Sequence, residues 1–201
     1  MSAANSGEMT AASVIDLIES GRYSRDVMVT IARGFLPLPQ EELVAVLAYL
    51  AGAGDEEVAA AARTSMGDMP SRVILDVAMN ESVDAMHLTR LLSASNDVAV
   101  VEALVRNRAV PDHAIVELAR HADGRLQEII VINQARILRA PEILDALLAN
   151  PGLSPEVRRR ALETREEFFD KKARLAAIAD LIDRVRTARQ SPHASTQSGD
   201  G

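Results

Sequence analysis

The chain has 201 residues, 48% of them apolar but only 2% aromatic, with no Trp and no Cys. That excludes a disulfide framework, thiolate metal sites and cysteine nucleophiles, and it calls for an aliphatic core of Ala, Leu, Val and Ile. The formal charge is −7, with 12 basic and 21 acidic side chains in residues 1–155 and 10 basic against 8 acidic beyond them. Such an acidic body argues against wrapping nucleic acid, whose affinity rests on neutralising phosphates.

Apolar segments rich in Ala and Leu, with few β-branched runs and few internal Gly or Pro, predict an all-α protein. The N-terminus lacks a basic region followed by an apolar stretch, and no run reaches the length of a membrane span. The expectation is a cytoplasmic protein with no membrane association.

Residues 1–8 are small and polar and read as a disordered N-terminus. Val14, Ile15, Leu17 and Ile18 make a short amphipathic helix ending near Gly21, and Ser24 caps a second that runs to Gly34. Pro39 opens a third, with Leu43, Val46, Leu47 and Leu50 on one stripe, and Asp55 caps a fourth. Further helices follow Pro70, run from about Val83 to Ser93, follow the Asp97 cap, and follow Pro111. Ile129 to Ile132 is apolar all round, the mark of a helix buried on several sides, and Pro141 opens the next helix.

Apolar residues fall four, seven and eight positions after Pro39, Pro70 and Pro111. Three copies therefore share one register, while those after Pro141 and Pro155 are shifted or degenerate. The proline spacings are 31, 41, 30 and 14 residues. About 30 residues accommodates two short helices and their turns, so the longer interval holds three and predicts an irregularity around Asn80 to Asn107.

The stretch Asn150-Pro151 through Pro155, Val157, Arg158 and Ala161 is the best match to the pattern N-P-x-x-P-x-x-V-R-x-x-A, with weaker echoes at Asp55 to Val58 and at Asn107 to Pro111. It resembles HEAT-like α-solenoids, particularly the leucine-rich-repeat variants of bacteria, as a pattern over residues 24–162. The resemblance implies a right-handed α-solenoid of short helical hairpins, here ten or eleven helices, acting as a cytoplasmic adaptor that binds a protein partner. The cluster-binding cysteines of some members are absent. On this reading residues 9–154 form the repeat domain, 155–190 a long C-terminal helix and 191–201 a disordered tail.

Pro155 to Gln190 contains no further Gly or Pro, giving one helix roughly 50 Å long. Ala161, Phe168, Leu175 and Ile182 are seven residues apart and Ile178 and Val185 take the partner heptad position, but Thr164 and Lys171 break the first half. Two readings stand: the helix folds back to seal the last repeats, or it pairs with another chain, a homodimer included. Candidate partner-binding residues are Arg158, Arg159, Arg160, Phe168, Phe169, Leu175, Ile178, Ile182 and Val185. The three arginines oppose the helix dipole, and either an anionic partner or neutralisation by Glu156, Glu163 and Glu166 accounts for them.

His87, His113, His121 and His193 share no metal spacing, and Gly52-Ala53-Gly54 ends a helix and is no phosphate loop. Asn133 and Gln134, beside the apolar run, are placed to hydrogen-bond neighbouring turns. The sequence offers no catalytic residue, metal ligand or cofactor site, and so predicts a non-enzymatic interaction module. The alternative is a HEAT-like repeat enzyme or nucleic-acid-binding protein of the DNA-glycosylase kind, which calls for a basic concave surface and aromatics to hold an extruded base.

Overall fold

The computed structural model describes residues 9–190, with side chains through residue 187; the expected disordered ends and His193 lie outside the described residues. Every regular element among them is helical, so the chain is all-α.

Local chemistry sets the helix starts. α1 (Ala11–Glu19) begins at a capping box in which the Thr10 and Ser13 side chains each accept the other's backbone N–H, and α2 (Arg25–Ala32) begins where Ser24 caps Val27. Each ends within two residues of a glycine in the left-handed region, Gly21 at φ 67° and Gly34 at φ 81°. α3 (Gln40–Ala51) follows Pro39, and α4 (Glu56–Asp68) follows Asp55, whose carboxylate accepts from Glu57 and Val58. α5 (Ser71–Met79) follows Pro70; α6 (Ala85–Ala94) and α7 (Val98–Arg106) are capped by Asp84 and Asp97. α8 (Asp112–His121) follows Pro111.

The interval between Pro70 and Pro111 does hold three helices, α5, α6 and α7. The prolines stand just before the first helical residue, where they offer no side-chain cap and impose φ near −60°.

The apolar run at 129–132 closes α9 (Gly124–Ile132). Ile129, Ile130 and Val131 are buried, but Ile132 is more than half exposed, so the helix is not enclosed on every side. Asn133 ends α9 and at once caps α10 (Gln134–Arg139), a short helix that the sequence reading did not separate. α11 (Glu142–Ala149) follows Pro141.

The chain then divides between Ser154 and Pro155 into two compact units. In the first, α3 is the hub: it packs against α1, α4, α5 and α6. α2 lies on α4, and α5, α7 and α9 pack in succession. α8 packs chiefly on α11, three helices on, because α9 and α10 intervene. α6 packs chiefly on α3. The largest fully buried side chains include Leu47, Leu50, Leu88, Leu104, Ile115 and Leu144, an aliphatic core in which each leucine or isoleucine contributes about 2 kcal/mol.

The second unit is α12 (Pro155–Arg165), a π-helical turn (Glu166–Asp170) and α13 (Lys171–Gln190). The expected long helix is thus interrupted once, where the Lys171 N–H reaches back five residues to the Glu166 carbonyl.

Candidate functional site

All nine residues singled out as partner-binding lie on the second unit. Along α13, Leu175, Ile178, Ile182 and Val185 form a stripe spaced three and four residues apart, each 47–68% exposed, and Leu181 beside them is equally uncovered. At i, i+3, i+7 and i+10 they share one helix face, the spacing of anchors that enter an apolar groove. Phe168 and Phe169 sit upstream within the π turn and are half-buried.

The arginine triplet is largely neutralised by its own helix. Arg159 donates to Glu156 at 2.7 Å and to Glu163 at 2.6 Å, and Arg160 lies 3.6 Å from Glu156. The Arg159 hydrogen bond holds the Glu156 carboxyl below its ordinary range, and Glu156 raises Arg159 in turn. Further along, Lys171 pairs with Glu167 and Arg174 with Glu166, so this side of the helix is a mesh of exposed pairs worth little each.

In the first unit asparagines at helix ends, of which Asn107 and Asn150 are buried, Asn133 half-buried and Asn80 exposed, form a ladder that the sequence reading missed apart from Asn133. Asn80, Asn107, Asn133 and Asn150 close α5, α7, α9 and α11. The Oδ1 atoms of Asn80, Asn107 and Asn150 accept the N–H two residues on, at 2.8–2.9 Å. The Asn107 amide donates to the carbonyls of Ala78 and Asn80, Asn133 to that of Val105, and Asn150 to those of Ala119 and Ala122. Gln127 donates to the carbonyls of Ala122 and Gly152 and accepts from Ser154 N–H. These side chains satisfy helix-end carbonyls that would otherwise be orphaned. The spacing of Asn80, Asn107 and Asn133, 27 and 26 residues, was the available signal.

Arg136 is also buried, donating to the carbonyls of Asn107 and Val110 and to Asp112. Asp112 is clamped a second time by Arg139 through Nε at 2.9 Å and a terminal nitrogen at 2.6 Å. The Arg139 hydrogen bond leads in holding the Asp112 carboxyl below its usual range, while burial lowers Arg136.

A cleft of about 830 Å³ lies among α6, α7, α8 and the start of α9, lined by Leu92, Val98, Val101 and Leu126 with residues of α8. His113 and His121, eight residues apart, both face it with Glu117 between them, and His121 Nε2 is 3.4 Å from that carboxylate. Among the described residues no three His, Cys, Asp or Glu side chains are placed to hold a metal ion, and no helix is long and apolar enough to cross a membrane. A second cleft, of about 540 Å³, lies beside Arg90, whose guanidinium stacks 4.5 Å from the Tyr49 ring. No known protein family, curated protein or solved structure matches the chain.

Proposed function

We propose that the chain is a non-enzymatic interaction module: a right-handed α-solenoid of the HEAT-like bacterial kind in residues 9–154, carrying a C-terminal helix that docks a protein partner in the cytoplasm. One observation carries this reading, the uncovered stripe Leu175, Ile178, Ile182 and Val185. Four large apolar side chains in register on one exposed helix face cost solubility, and their spacing suits an apolar groove. The stripe spans only about two heptads, short for a stable two-stranded coiled coil, which favours a grooved partner over a second copy.

The test compares the intact chain with Leu175→Asp/Ile182→Asp as bait in extract of the native cell, alongside the mass of each in solution. A protein retained by the intact chain and lost from the variant supports the reading. An identical set of retained proteins overturns it, and a dimer broken by the variant replaces the grooved partner with a second copy.

A further inference from the structure

A cleft of about 340 Å³ lies on the first unit between the ends of α7 and α9 and the short α10, lined by Arg106, Arg108, Arg136 and Arg139 over Ile129 and Ile132. In a chain of net charge −7 four guanidinium groups converge here, and the carboxylates that answer them are shared. Asp112 serves both Arg136 and Arg139; Glu102 serves Arg106 at 2.6 Å and also Arg125 at 3.4 Å. Arg108 is exposed and makes no ion pair among the described residues. Positive charge is therefore in excess.

Attraction of cations to helix C-termini accounts for Arg106 and Arg139 at the ends of their own helices. It does not account for Arg108, which stands beyond the Asn107 cap. The acceptors at that end of α7 are already taken: Val105 by Asn133, and Asn107 and Val110 by Arg136. A guanidinium has five N–H groups, and Arg139 spends Nε and one terminal nitrogen on Asp112. The cleft thus offers surplus donors in planar forks beside the exposed Ile132 side chain.

We infer that this cleft binds a compact oxyanion, a phosphoryl or carboxylate group on a small molecule, held in the forks of Arg108, Arg106 and Arg139 with its apolar portion against Ile132. Arginine suits either anion because its fork matches two oxygens at once. Arg136, fixed by three protein acceptors, is a positioning residue that ties the Arg108 loop to α10.

Pyrophosphate and, separately, citrate are titrated into the full-length protein at constant ionic strength, followed by backbone amide NMR. The expected result is a saturable shift confined to residues 105–109 and 132–139 with at least one probe, weakened about tenfold in Arg108→Gln and unchanged in the control Arg72→Gln. Saturation with pyrophosphate alone assigns a phosphoryl ligand, and with citrate alone a carboxylate. Shifts that never saturate, that spread over surface arginines generally, or that survive Arg108→Gln overturn the inference.

Discussion

Asn150 donates its side-chain amide to the carbonyl of Ala119 at 3.0 Å, joining residues 31 positions apart in the chain. The same amide reaches Ala122 at 2.8 Å, and its oxygen accepts from Gly152. One side chain thus ends α11, ends α8 and turns the loop between helices.

Asn150→Ala leaves the buried carbonyls of Ala119 and Ala122 without this donor, and should cost about 2–3 kcal/mol in urea unfolding. Asn107→Ala should behave alike, because Ala78 and Asn80 lose their partner. Asn96→Ala, at an exposed position, is the control and should change stability by less than about 0.5 kcal/mol. Equal effects at all three positions would remove the ladder as a source of stability.

Asp112 makes the first unit acid-sensitive. Its folded-state pKa is depressed, chiefly by the Arg139 hydrogen bond, so its contribution is complete above the ordinary carboxylate range of about 4 and is lost as pH falls through the depressed value. Asp112→Asn should cost about 2 kcal/mol at pH 7, because Arg136 stays buried without its counter-charge but keeps two carbonyl acceptors. Unfolding measured from neutral pH to pH 3 should show a shallower acid limb in the variant, and parallel limbs would contradict the assignment.

The two readings of the C-terminal helix differ in stability as well as in binding. With an uncovered stripe, Leu175→Asp should shift the unfolding free energy by less than about 0.5 kcal/mol. A helix folded back as a cap would lose about 2 kcal/mol or more. A thermal melt of the two proteins side by side separates these outcomes.

Two glycines should respond in opposite directions to alanine. Gly67 lies within α4 with open space where a Cβ would go, so Gly67→Ala should stabilise by about 0.5 kcal/mol. Gly34 has equal room but φ of 81°, so Gly34→Ala should destabilise by about 1 kcal/mol. Denaturant midpoints check both, and a shared sign would refute the conformational account.

The helices were legible because their starts are written in short-range chemistry. Ser24, Asp55 and Asp97 cap where a polar residue before an apolar stripe predicts it, and Pro39, Pro70 and Pro111 mark three more starts. Tertiary destinations were not legible. Asn107 and Asn150 read locally as loop residues; that their amides cross to another helix depends on packing. Arg136 beside Ile137 reads as a surface cation, yet it is 4% exposed because three acceptors converge on it. The exposed stripe could be read as an apolar period, but its lack of cover could not. The π turn left no trace, since Glu166 to Asp170 contains neither Gly nor Pro.

That turn fixes how the two halves of the C-terminal helix are phased. A π turn carries one residue more per hydrogen-bonded ring than an α turn, and one residue corresponds to about 100° of rotation around the axis. The seven-residue spacing from Ala161 through Phe168 to Leu175 therefore does not trace one continuous face, and the α13 stripe points in its own direction. Because the π turn absorbs that extra residue, deleting a single residue between Glu166 and Asp170 would let a regular α-helix run through with Leu175, Ile178, Ile182 and Val185 keeping their bearing. The turn thus tolerates the loss of one residue, whereas the same deletion in the regular helix between Lys171 and Leu175 would re-aim an interaction surface whose composition stays the same.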